Sequence, residues 1–229
     1  MTLTQSSATA AIIPAQDKHT HTVFWLHGLG ADGHDFTPLI AQLSDTARAG
    51  VRFILPHAPV QPVTINGGLE MRAWYDIRTP NLTVAVDDDG ITRSVTWLNE
   101  HIAAEIALGI PSHRILLAGF SQGGVIALQT GLTAAEPLAG ILALSTYLPT
   151  WPHVQEHLTE ANRQTPILQM HGRDDDIVPW HVAHNVHQQL DRLGYPSQWH
   201  DYAMAHSLCA EQIPVISTFI EHCLGGRDD

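Results

Sequence analysis

Basic residues are scarce in this chain. Lys and Arg number 11 against 23 Asp and Glu among 229 residues, a formal net charge of −12. A surface of that sign repels nucleic-acid phosphates and anionic lipid headgroups, so neither nucleic acid nor stable membrane anchoring is expected. Long apolar runs are also missing, and nothing approaches the ~20 residues of a membrane-spanning helix. The segment 1–16 lacks a basic n-region and has only a brief apolar stretch at 8–13, unlike a secretory signal. Residues 1–20 therefore read as a flexible lead-in and 225–229 as a tail. Cysteine is nearly absent: Cys209 and Cys223 flank a predicted helix 14 positions apart, about 21 Å along its axis. That separation argues against a disulfide, and a reducing, cytoplasmic compartment is expected. Linkers, repeats and composition breaks are lacking too, so 21–224 reads as one domain. With 44% apolar and 15% charged residues it is globular.

What is present starts with Gly119-Phe120-Ser121-Gln122-Gly123. It follows an apolar run at 114–118 that predicts a buried strand and precedes a helical stretch at 125–132. G-x-S-x-G between strand and helix is the nucleophile elbow, a turn so tight that only residues without bulk fit beside the serine. The two glycines remove clashing side chains and leave the Ser121 hydroxyl exposed at a helix N-terminus.

A serine hydroxyl attacks only when a base takes its proton, and the base needs a third group to orient it. Elbow-type sites carry these in the chain order Ser, Asp or Glu, His. Downstream, the apolar run 166–170 ends in His171-Gly172-Arg173-Asp174-Asp175-Asp176, placing an acid on the loop after a strand. The segment 198–202 predicts a last strand, and His206 follows in the loop before the final helix. Each group thus sits at the carboxyl end of a strand, where α/β sheets keep their sites. Among 16 histidines, His206 is the candidate base on position and order.

Elsewhere the apolar pattern alternates between strand and helix. Short β-type runs occur at 23–26 and 52–55, separated by a helical stripe of Phe36, Leu39, Ile40 and Leu43. A longer helix is predicted over 92–108, with Val95, Leu98, Ile102 and Ile106 on its buried side. Strands and helices then alternate to the C-terminus, which predicts an α/β fold: a mostly parallel sheet covered by helices on both faces. Only about twenty residues separate Ser145 from Pro166, too few for a large cap domain by the usual domain sizes.

Acyl transfer also needs donors aimed at the developing oxyanion. One is expected from the backbone N–H of Gln122, after the nucleophile. The second is assigned to Leu29, in the glycine-rich turn His27-Gly28-Leu29-Gly30-Ala31-Asp32-Gly33. Gly28-x-Gly30-x-x-Gly33 also matches a dinucleotide loop. The acid expected some twenty residues on is missing, the chain there reading Ile54-Leu55-Pro56-His57, so that reading is set aside. His181, His184 and His187 recur at helical spacing without accompanying carboxylates or cysteines, and read as a solvated helix face rather than a metal site. No metal or cofactor is expected.

Taken together, these blocks resemble the acyl-protein thioesterase and bacterial carboxylesterase (phospholipase/carboxylesterase) family of α/β hydrolases. The likeness covers nearly the whole chain. It adds Pro56-His57-Ala58-Pro59, residues 62–68, Met71-Arg72-Ala73-Trp74-Tyr75-Asp76-Ile77 and Leu144-Ser145-Thr146-Tyr147-Leu148-Pro149 to the motifs above. The resemblance implies Ser121 as nucleophile, Asp175 as orienting acid by the pattern His-Gly-x-x-Asp-x-x-Val-Pro, and His206 as general base. It places the oxyanion donors on Leu29 and Gln122 and puts Trp74 near the acyl groove. Leu69, Thr146 and Tyr147 are further candidate substrate contacts, in the two loops expected to flank the groove. The chain departs from the family at Arg72, where many relatives carry proline, and at Ala205, where glycine commonly precedes the histidine.

The function expected is hydrolysis of small to medium acyl esters, and of thioesters, by a serine hydrolase whose partner is a small-molecule substrate. The alternatives are a lysophospholipase or protein depalmitoylase with a long acyl channel, and a non-catalytic binding protein on the same scaffold.

Overall fold

The computed structural model describes residues 5–6 and 9–225. The strands are β1 (Gln5–Ser6), β2 (Ala10–Ile13), β3 (His21–Leu26), β4 (Val51–Pro56), β5 (Val60–Val63), β6 (Leu69–Arg72), β7 (Ile115–Phe120), β8 (Gly140–Leu144), β9 (Ile167–Gly172) and β10 (Ser197–Tyr202). The α-helices are α1 (Thr37–Ile40), α2 (Asp45–Arg48), α3 (Asp88–Ala107), α4 (Gln122–Thr133), α5 (Trp151–Glu156), α6 (Trp180–Arg192) and α7 (Gln212–Leu224). The main sheet runs β1-β2-β4-β3-β7-β8-β9-β10, and β5 pairs only with β6. From β4 to β10 every pairing in the main sheet is parallel, while β2 joins β4 and β1 joins β2 antiparallel.

Two cores explain why the central strands read as unbroken apolar runs. Phe24 and Leu26 of β3, Ile115 and Leu117 of β7, and Ile141 and Ala143 of β8 face one layer. Their neighbours Val23 and Trp25, Leu116 and Ala118, and Leu142 and Leu144 face the other. Period-two side chains thus find an apolar partner on either face, as parallel sheets require. On the first face lie α3, α4, α5 and α6; on the second α1, α2 and α7. Helix α4 is buried from Gln122 to Leu132, which accounts for its apolar character all round.

Several expectations need correction. Residues 10–13 are not part of a flexible lead-in: β2 pairs with β4, with Ala11 at 0% exposure, because a four-residue apolar run gains both ladder bonds and burial there. Residues 1–4 and 7–8, and the tail at 226–229, lie outside the described residues. The stripe from Phe36 to Leu43 yields only a 3-10 turn and the single-turn α1, with Pro38 in its first turn. Helix α3 starts at Asp88, and Ile106 is exposed near its end. Glu105 takes the inner position there, accepting from Thr22 Oγ1 at 2.6 Å and Arg52 Nη1 at 3.1 Å. One of the two loops expected to flank the groove, residues 63–77, contains one strand of the β5–β6 hairpin. As expected, the connection from Ser145 to Pro166 carries only α5 and a 3-10 turn, too little for a cap domain.

Candidate active site

Three groups far apart in sequence meet at the carboxyl edge of the sheet. Ser121 follows β7 with φ 53° and ψ −119°, a strained backbone for a residue with a side chain. The strain is held by close packing: a Cβ on Gly119 would strike the Gly123 carbonyl, and one on Gly123 would strike the carbonyls of Leu26 and His27. Thr146 Oγ1 donates to the Ser121 carbonyl at 2.7 Å, and Ser121 N–H donates to the Leu144 carbonyl at 3.0 Å. The turn is therefore tied to β8 from both sides.

His206 Nε2 lies 2.9 Å from Ser121 Oγ, and His206 Nδ1 lies 2.8 Å from Asp175 Oδ2. The other Asp175 oxygen accepts from the N–H groups of Ile177 at 3.0 Å and Val178 at 2.8 Å. Burial pushes the Asp175 carboxyl pKa up, but the His206 hydrogen bond and the Val178 N–H outweigh it, and the net shift is downward. The carboxylate is thus ionised and committed to His206. Of the three adjacent acids only Asp175 is buried; Asp174 and Asp176 are exposed. His171, stacked on Trp199, donates from Nε2 to the Val178 carbonyl at 2.8 Å and supports the same loop. Ser121 and His206 are half-buried and open to a substrate.

On the other side, the turn bearing Leu29 is set by His27, whose importance as a buried scaffold the sequence did not signal. Its Nδ1 donates to the Gly28 carbonyl at 2.7 Å, and its Nε2 accepts from Ala58 N–H at 3.0 Å. Burial lowers the His27 pKa to about 4, so the ring is neutral, as both bonds require. Gly30 N–H donates to the Arg72 carbonyl at 2.8 Å, fastening this turn to the hairpin. The amides of Leu29 and Gln122 have no backbone acceptor among the described residues.

The four candidate substrate contacts divide. Leu69 is 63% exposed on the hairpin. Thr146 is buried and braces Ser121, as above. Trp74, expected at the groove, is buried. Its Nε1 donates to the His27 carbonyl at 2.9 Å, while its N–H donates to Gln122 Oε1 at 3.0 Å. Gln122 Nε2 in turn donates to the Tyr75 carbonyl at 2.6 Å. An indole anchored at its N–H and packed against His27 braces the Leu29 turn rather than facing open solvent. Tyr147 is buried too, its hydroxyl paired with that of Tyr75 at 2.8 Å.

Two histidine groups merit separate mention. His184 and His187 of α6 do not form a solvated face: both pack on Trp199, and His187 Nδ1 bonds Ser197 Oγ at 2.9 Å. Asp32, His34 and His57 bring potential ligand atoms within 4.8 Å of one another. His57 Nδ1, however, accepts from Gly33 N–H at 3.0 Å, and His34 Nδ1 lies 3.0 Å from Asp32 Oδ1, so hydrogen bonds account for this group without an ion.

Residues 7–224 match the Phospholipase/Carboxylesterase family. Acyl-protein thioesterase 1 of Neurospora crassa is 39% identical over 218 residues, covering 91% of this chain and 89% of that protein. The same-named protein of Yarrowia lipolytica is 36% identical over 217 residues, covering 93% and 96%. The crystal structure of Arabidopsis thaliana SOBER1 superposes with a TM-score of 0.84 at 28% identity, covering 89% of this chain and 99% of that one. A sheet of this order, an elbow serine and a match over nearly the whole length lead to one conclusion: the chain belongs to the phospholipase/carboxylesterase family of α/β hydrolases.

Proposed function

We propose that the chain hydrolyses carboxylic esters and thioesters of small to medium acyl groups through a Ser121–His206–Asp175 triad. The observation that carries this reading is the single imidazole bridging Ser121 Oγ and a buried, ionised carboxylate. In the reaction, Ser121 Oγ attacks the acyl carbonyl carbon while its proton passes to His206 Nε2. The carbonyl oxygen becomes an oxyanion facing the N–H groups of Leu29 and Gln122. Collapse of the intermediate breaks the bond to the alcohol or thiol, which leaves with the proton from His206. Water then enters, gives a proton to His206 and attacks the acyl-enzyme, and the second collapse releases the acid and restores Ser121. Asp175 keeps the His206 proton on Nδ1 and stabilises the imidazolium formed twice per cycle.

The acyl-length limit is supported by the short connection from Ser145 to Pro166, which carries only α5 and a 3-10 turn and so offers no cap to cover a long chain. A lysophospholipase or an acyl-protein thioesterase acting on long chains is the competing reading; the names of the fungal relatives favour its acyl-protein thioester part. Cytoplasmic residence belongs to the same proposal, supported by two cysteines that no disulfide joins; among the described residues no helix is long and apolar enough to cross a membrane.

The test is labelling with an active-site fluorophosphonate. The wild-type chain should react at Ser121 and lose esterase activity in step, while Ser121→Ala should neither label nor turn over. Label on another residue, or more than a few per cent of activity in the variant, would refute the mechanism.

A further inference from the structure

A second cavity, of about 570 Å³, lies between the β5–β6 hairpin and α3. It gives the family departure at Arg72 a physical setting. The Arg72 guanidinium donates from Nη1 to the Ala58 carbonyl at 2.8 Å, leaving its other donors without partners among the described residues. Arg93 of α3 lines the same cavity, is exposed, and makes no hydrogen bond or ion pair among the described residues. The half-buried Trp97 ring forms an aromatic wall, with the buried Trp74 ring behind it at 5.7 Å and 45° and His101 tilted against it at 3.8 Å. His57 also lines the cavity. Its Nδ1 accepts from Gly33, so the neutral ring carries its proton on Nε2, a further donor.

Among the described residues no Asp or Glu lines this cavity, although acids outnumber Lys and Arg by 23 to 11 in the chain. Two guanidinium groups without a counter-charge call for an anion. Their planar forks match a carboxylate bidentately, and the indole wall adds a surface for a flat ring. The volume lies in the range of small-molecule sites. We propose that this cavity binds a planar aromatic carboxylate, held by Arg72 and Arg93 at its charged end and at its ring by Trp97, backed by Trp74. The site is separate from Ser121 and stands whether or not the hydrolase mechanism does. Because Trp74 also holds the His27 carbonyl, a bound ring touches the scaffold of the oxyanion turn.

The test is calorimetric titration of the full chain with 2-naphthoate and, in parallel, with 2-naphthalenemethanol, its uncharged analogue. We expect saturable 1:1 binding of the acid, at least tenfold weaker binding of the alcohol, and at least tenfold weaker binding of the acid to Arg93→Glu. The variant lies on an exposed helical face, and its melting temperature establishes that it folds. The acid–alcohol comparison needs no variant at all. Absence of binding, equal affinity for acid and alcohol, or binding unchanged in folded Arg93→Glu would each overturn the proposal. The last result would place the ligand elsewhere, such as beside Ser121.

Discussion

Replacing Asp175 by asparagine should convert His206 from a base into a donor without unfolding the protein. Asp175 Oδ1 accepts two backbone N–H groups, from Ile177 and Val178. In the isosteric Asp175→Asn variant the amide oxygen is the group able to keep both bonds, so the NH2 takes the place of Oδ2, facing His206 Nδ1 across 2.8 Å. An amide nitrogen donates and does not accept. The neutral imidazole must then present a lone pair at Nδ1 and carry its proton on Nε2, toward Ser121 Oγ. The lone pair that should receive the serine proton is gone, and the imidazolium loses its carboxylate. A wrong-tautomer triad loses about 10⁴ in kcat, or ~5.4 kcal/mol at ~1.36 kcal/mol per factor of ten. The assay is p-nitrophenyl butyrate hydrolysis, with melting followed by circular dichroism to verify the fold. Exposed Asp174→Asn and Asp176→Asn should change the rate by less than about threefold. Retention of more than ~1% of kcat in Asp175→Asn, or an equal loss in either neighbour, would refute the reasoning.

Other outcomes follow from the same geometry. Along a series of p-nitrophenyl esters, kcat/KM should rise about fourfold per carbon at first, since a buried CH2 contributes ~0.8 kcal/mol, and then level off. Continued improvement to palmitoyl would favour the long-chain reading. Gln122→Ala should cost about 1–3 kcal/mol for each of the two groups it orphans, Trp74 N–H and the Tyr75 carbonyl; an unchanged urea midpoint would show that these bonds do not matter. His27 predicts a pH effect on stability. Above pH 6.5 the ring is neutral in both states. Below it the unfolded chain takes up a proton that folded His27 refuses until about pH 4, so stability falls through that window, by about 3 kcal/mol in all. His27→Gln should flatten the fall measured by urea unfolding at pH 7 and pH 4; an identical slope would exclude His27 as its source.

The strand runs around Ile115 and Ile141, the helix after Ser121 and the order serine, acid, histidine were legible because each is a local pattern, set by side-chain period and turn chemistry. The resemblance to a family singled out Asp175; the structure shows the physical ground, since only that carboxyl turns inward to meet Val178 N–H and His206. Residues 10–13 were not legible as a strand: four apolar residues are ambiguous until β4 offers them a ladder. The setting of Trp74 was not legible for a related reason, since an indole in a long loop serves a groove or a core depending on where its N–H finds an acceptor, here the His27 carbonyl. Nor does spacing disclose that Arg72 and Arg93, on different elements, share one cavity. By itself the sequence determined the alternating layers and the tight strand–helix turn at Ser121, both of which rest on residues adjacent in the chain or one helical turn apart. Only the tertiary structure decided why Asp175 and not its neighbours meets His206, which histidine is buried under the Leu29 turn and which arginines share a cavity. Those choices depend on distances between residues as many as 85 positions apart, which the sheet order creates and local preference does not encode.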